Sequence, residues 1–134
     1  VITLASVIQS EAANVDDMRG VSAVFHNRLE DGSGLPYLQS DVTYFYYRDE
    51  IEPYIGDDEA LDEAYHTSYD TYYKKGLPVG PVCNPGTNAI EAALNPDMEN
   101  HGQDYYFLAD SAGNFYWAKT HAEHEANMAA AGLG

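Results

Sequence analysis

Basic residues are the scarcest class in this chain: Lys and Arg number 6 against 22 Asp and Glu, giving a formal net charge of −16. Such a surface repels nucleic-acid backbones and anionic lipid headgroups, so neither is expected as a partner. For the same reason an anionic ligand would have to be held by local hydrogen bonds, because long-range steering works against it. Cysteine is nearly absent. Cys83 stands alone, which excludes an intrachain disulfide and removes any argument about redox compartment. No run of about 18 apolar residues occurs, and the chain opens inside a helical pattern instead of a charged segment followed by an apolar one. Any signal or membrane anchor is therefore expected outside these residues. No internal repeat is visible.

What is present is ordinary for a folded domain. The chain has 134 residues, 45% hydrophobic and 21% charged, enough for one domain over 1–134 with its own core. Leu4, Val7, Ile8 and Glu11 recur at helical spacing, which puts Glu11 on or beside the apolar stripe of a first helix. Asp16 and Asp17 suit the cap and first turn of a second helix, with Val21, Val24, Phe25 and Leu29 on one face before Gly32 and Gly34. The two helices are expected to pack as an antiparallel pair. Residues 35–47 read as a loop followed by an aromatic, β-branched stretch, either strand or buried irregular chain. Residues 49–70 are rich in acids and tyrosines and read as a solvated excursion holding at most a short helix, a potential lid.

Alternating Gly and Pro over 74–86 predict a rigid, turning loop. Thr87 or Asn88 can cap a short helix that Asn95-Pro96 ends. Segments 105–109 and 115–118 flank a five-residue loop, the pattern of a β-hairpin, and Thr120 with Glu123 forms a capping box for a C-terminal helix. A helix pair, a hairpin with irregular β elements and a C-terminal helix define an α+β fold, not a doubly wound parallel sheet.

Glu11 is the residue with most chemical promise. Most glutamates are solvent exposed, and periodicity alone favours Glu11 pointing to water at the edge of its stripe. Buried beside a cleft it would instead gain about one to two pKa units and become a proton donor near neutral pH.

Several stretches occur in a telling order: Leu4-Ala5-Ser6-Val7-Ile8-Gln9-Ser10-Glu11-Ala12, Val21-Ser22-Ala23-Val24-Phe25-His26-Asn27-Arg28-Leu29 and Leu38-Gln39-Ser40-Asp41-Val42-Thr43. They are followed by Ser68-Tyr69-Asp70-Thr71-Tyr72, Lys75-Gly76-Leu77-Pro78, Pro81-Val82-Cys83-Asn84-Pro85-Gly86, Ala92-Ala93-Leu94-Asn95-Pro96, Tyr105-Tyr106-Phe107-Leu108-Ala109-Asp110 and Thr120-His121-Ala122-Glu123-His124-Glu125-Ala126-Asn127. Together they resemble the YceG-like (MltG-type) endolytic murein transglycosylase family over nearly the whole chain. Three positions depart from its pattern: Val42 and Val79 where the family usually has Pro, and Asp70 where it usually has Asn.

The resemblance implies a catalytic domain from a longer, membrane-anchored protein at the extracytoplasmic face of the bacterial cell membrane. Its substrate would be peptidoglycan glycan strands, its neighbours peptidoglycan synthases. Glu11 aligns on the family's catalytic glutamate. Glycosidic cleavage usually needs two carboxylates, but N-acetylmuramic acid carries its own nucleophile, the C6 hydroxyl. A single Glu can therefore donate a proton and then take one back, closing a 1,6-anhydro ring. A catalytically inactive peptidoglycan-binding module of the same fold is the alternative.

Around Glu11, the residues Gln39, Ser40 and Asp41 read either as a sugar-binding polar cluster or as a turn held by its own side chains. Tyr69, Tyr72, Tyr105 and Tyr106 could stack on sugar faces or simply pack, with Tyr69 and Tyr72 singled out for stacking, and the charge of Asp70 could alter glycan affinity or, if the two are close in the fold, the pKa of Glu11. His124 is a candidate for the cleft, against the blander role of a helix histidine bonded to backbone. Arg28, with Asn27, reads as a buried tether between helix and loop. His121, His124 and Glu125 lack a zinc-site pattern, and the acids of 49–70 lack a calcium-loop pattern. No metal and no cofactor is expected.

Overall fold

The computed structural model describes residues 1–30 and 32–133. Helix α1 (Ile2–Glu11) buries Leu4, Ala5, Val7 and Ile8. After residues 12–14 the chain enters α2 (Val15–Leu29). Its cap is Asn14, not an aspartate: the Asn14 side chain accepts from the Asp17 backbone N–H at 2.9 Å, while Asp16 and Asp17 lie in the first turn, where negative charge suits the helix dipole.

The core forms where α1, α2 and α5 (Thr87–Leu94) meet. Ala89, Ala92 and Ala93 are its contribution from α5, small residues that let the backbones approach, and Phe25 of α2 fills the centre with no exposure. The α5 cap is Gly86, whose N–H donates to Gln9 Oε1 at 3.0 Å, so neither Thr87 nor Asn88 is used.

Residues 41–47 are helical, not a strand. Helix α3 (Asp41–Tyr46) runs into a π turn (Tyr47–Ile51) and a 3-10 turn (Glu52–Tyr54). The burial explains the choice: Thr43 and Tyr47, four apart, are buried, whereas Phe45 is 44% exposed, so the buried period is that of a helix. The preceding loop keeps one β feature, a parallel bridge between Tyr37 and Gly76. The excursion then carries an eleven-residue helix, α4 (Glu59–Tyr69), capped by Asp58 and longer than expected.

Both ends of the excursion are fastened at one buried joint. The Thr71 N–H donates to Thr43 Oγ1 at 3.0 Å, the two hydroxyls are 3.0 Å apart, and the Ser40 N–H donates to Thr71 Oγ1 at 2.9 Å. Thr43 and Thr71 have no exposure.

After the short α6 (Met98–His101), strands β1 (Tyr106–Ala109) and β2 (Phe115–Ala118) pair antiparallel in the register Tyr106–Ala118 to Ala109–Phe115. Asp110 closes the five-residue loop by accepting from the N–H groups of Ala112 and Asn114. Trp117 seats the hairpin on α2 at Gly20, where a Cβ would come within 2.5 Å of the indole. Helix α7 (His121–Ala130) starts with the expected Thr120–Glu123 capping box and packs on both strands. Among the described residues no helix is long and apolar enough to cross a membrane.

Candidate active site

Glu11 is the last residue of α1, so the rigidity of the core fixes the place of its side chain. It opens into a cleft of about 430 Å³ between α1, the start of α3, the hairpin and α7. Burial there pushes its carboxyl up from an ordinary 4.5 to about 7, and the neighbouring Asp41 adds to the rise. At neutral pH a large share of Glu11 is thus protonated, as a general acid requires.

Gln39, Asp41, Tyr72 and His124 line the same cleft. Gln39 holds a left-handed backbone with φ 53°, uncommon for a residue with a side chain and a form of strain that collects at functional sites. Asp41 is exposed at the first turn of α3. Tyr72 follows the Thr71 joint, and its hydroxyl is pushed up to about 12 by burial, then by its hydrogen bond to Asp41 and by the surrounding acids. The beginning and the end of the excursion therefore meet beside Glu11.

Ser40, Tyr69 and Asp70 stand outside the lining. Ser40 is buried behind the cleft, where its carbonyl accepts from Thr43 Oγ1 at 2.8 Å, so it serves the joint. Tyr69 packs its ring 5.2 Å from that of Tyr46 and its hydroxyl against Gly80. Asp70 is 4% exposed and is engaged by His66 Nε2 at 3.0 Å and by the Tyr72 N–H at 3.0 Å. Its carboxylate shapes the turn after α4, and Asp41, not Asp70, is the acid that perturbs Glu11. The effect expected of Asp70 on Glu11 is not found.

Elsewhere in the lining, the His124 ring of α7 stacks on Tyr106 at 5.0 Å with 24° between planes, and burial pushes its pKa down, helped by His121 and Arg28. Its Nδ1 is buried and has no hydrogen-bond partner among the described residues, which does not support the backbone-bonded alternative for that nitrogen. Arg28 donates from Nε to the Tyr105 carbonyl at 2.6 Å and from Nη1 to the Tyr37 carbonyl at 2.7 Å, tying hairpin and loop to α2. It also lines the cleft, as do His121, Met128, Tyr105, Tyr106 and Phe115. Tyr105 and Tyr106 were weighed for sugar stacking, but the membership of Arg28, His121, Met128 and Phe115 was missed, although His121, His124 and Met128 share a helical face at spacings of three and four. No group of three His, Cys, Asp or Glu residues among those described could hold a metal ion.

Fold and site together define a small α+β domain that presents a desolvated acid from the end of a core helix into an open, partly aromatic cleft. The chain belongs to the YceG-like family, which matches residues 1–130. It is 32% identical over 131 residues to a Streptococcus pneumoniae (strain D39) protein named endolytic murein transglycosylase, a match covering 96% of this chain and 23% of that protein. A Bacillus subtilis (strain 168) protein of the same name is 36% identical over 127 residues, covering 92% and 32%. The crystal structure of a yceG-like protein from Listeria monocytogenes superposes with a TM-score of 0.73 at 34% identity, over 93% of this chain and 38% of that one. The chain spans 23% to 32% of the length of these curated relatives.

Proposed function

We propose that this domain carries the catalytic centre of an endolytic lytic transglycosylase that cuts peptidoglycan strands between N-acetylmuramic acid and N-acetylglucosamine. The observation that carries the reading is Glu11 itself, partly buried in the cleft with its carboxyl raised to about 7. Family membership and the names of the relatives supply the substrate class.

In the reaction, protonated Glu11 donates its proton to the glycosidic oxygen and the bond from that oxygen to C1 of the muramic residue breaks. The C6 hydroxyl of the same residue bonds to C1, and the Glu11 carboxylate takes the hydroxyl proton. The products are a free N-acetylglucosamine 4-hydroxyl and a 1,6-anhydro end, with Glu11 again protonated. No water is consumed. Asp41 acts by helping burial to keep Glu11 protonated until substrate is bound. The setting is the extracytoplasmic face of the bacterial membrane, with peptidoglycan synthases as working partners.

Asp41 also favours a second reading. A carboxylate in the same cleft could activate water, as in two-carboxylate glycosidases, which would make the enzyme a hydrolase leaving reducing ends. Release of soluble fragments from purified peptidoglycan tests the common part of both readings. The chain is expected to release them and a folded Glu11→Gln variant to release none; equal release by both, or by neither, would remove Glu11 from its role or the domain from catalysis.

A further inference from the structure

Arg28 is one of only six cationic Lys and Arg residues in the chain, yet it is buried in the wall of the cleft at 5% exposure. A buried guanidinium is usually matched by a carboxylate, because removing its hydration without a counter-charge is costly. Both described bonds of Arg28 go instead to neutral carbonyls, and among the described residues no acceptor takes the Nη2 protons. Its remaining support is the Tyr106 ring, whose centroid lies 4.8 Å from the guanidinium carbon.

His124 stacks on that same ring, and His121, 6.5 Å from His124 between centroids, lines the cleft beside it. Of the two nitrogens of His124, Nδ1 is the buried one, and it has no partner among the described residues. A buried nitrogen is better tolerated as a bare lone pair than as an orphaned N–H, which leaves Nε2–H as the donor of the neutral ring. Glu11 and Asp41 line the same space from α1 and α3. The cleft thus brings acids from α1 and α3 together with a permanent positive charge from α2 and imidazole donors from α7.

We infer that Arg28, His121 and His124 form a carboxylate subsite, which takes an anionic group carried by the glycan and so sets how a strand lies across Glu11. The inference rests on the glycan-cleaving reading above. In peptidoglycan such a group comes from the lactyl ether of a peptide-free muramic residue or from the stem peptide, and both present the same planar acceptor to a guanidinium. Glu125 approaches His121 at 3.6 Å, but the pair is about two-thirds exposed and competes little. Since the chain's net charge of −16 repels anions at a distance, the subsite acts at contact, on residence and orientation more than on encounter.

Titration calorimetry on the folded Glu11→Gln chain tests this without turnover. The probes are a short glycan bearing stem peptides, the same glycan stripped of peptide to expose lactyl carboxylates, and an uncharged N-acetylglucosamine oligomer of equal length. At least one carboxylated probe is expected to bind about tenfold tighter than the uncharged one, the scale of one charge-assisted contact. Preference for the first probe alone assigns the stem peptide, and for the second alone the lactyl group. The preference should shrink to about twofold or less when His121→Gln and His124→Gln are added together, and likewise with Arg28→Gln if circular dichroism shows that variant folded. A preference of about twofold or less before those changes, one that survives the histidine pair, or no measurable binding of any probe would overturn the subsite. Fragment release without carboxylate preference would remove the subsite and spare the proposed reaction; preference without fragment release would do the reverse.

Discussion

Helix α1 and helix α4 are nearly equal in length, ten and eleven residues, but α1 buries five of its residues and α4 buries none. The difference divides the molecule into a core of α1, α2 and α5 and an acidic, tyrosine-rich excursion from Asp41 to Tyr72. The cleft draws on both. Glu11 comes from the core, and Asp41 and Tyr72 from the two fastened ends of the excursion, with the Thr43–Thr71 joint between them. The proposed proton donor is therefore held by the buried core, and Asp41, the acid that raises its pKa, stands beside a single buried joint.

The sharpest test of that division is chemical. Glu11→Gln should lower turnover by at least about 10²-fold, the usual minimum for a general acid, with the fold intact by circular dichroism. Next comes the core itself: Phe25→Ala should cost about 3–5 kcal/mol by urea denaturation. Leu61→Ala in α4, where Leu61 is 42% exposed, should stay within about 0.5 kcal/mol. Similar losses at both sites would erase the distinction.

The joint is expected to fall between these extremes. Thr71→Val leaves the Ser40 N–H without its acceptor and should cost about 1–3 kcal/mol, with a further loss of activity because Tyr72 and Asp41 shift against Glu11.

The smallest effect is on pH. The proposed reaction needs the acid form of Glu11, so activity should fall as pH rises through about 7. Asp41→Asn removes a charge that raises the Glu11 pKa, and the alkaline limb of the rate profile should move to lower pH. Stability follows the same sign. A carboxyl raised from 4.5 to about 7 on folding contributes its full share below 4.5 and loses it as pH climbs to about 7, a change of about 1–3 kcal/mol after allowing for partial exposure. Glu11→Gln should flatten that decline.

Much of this was legible in the residues. The helical spacing of Leu4, Val7, Ile8 and Glu11 put the acid on the edge of a core stripe, and the hairpin with its five-residue loop and the Thr120–Glu123 box read directly. Residues 41–47 did not, because β-branched and aromatic types fit a pleated surface by propensity, and only Thr43 and Tyr47 sharing one buried side reveals the helix. Asp70 looked functional as a departure from a pattern, yet its place after α4 gives it a turn to hold. Arg28 read as a tether and is one, but nothing local in a sequence says that a buried cation bonds to carbonyls and to no carboxylate among the described residues.

Mass spectrometry of the fragments released from purified peptidoglycan tests the central claim most directly. If Glu11 alone serves as acid and then base, the wild-type chain yields 1,6-anhydro ends and the Glu11→Gln chain yields no fragments. Reducing ends in place of anhydro ends would show that water is the nucleophile and would contradict the account.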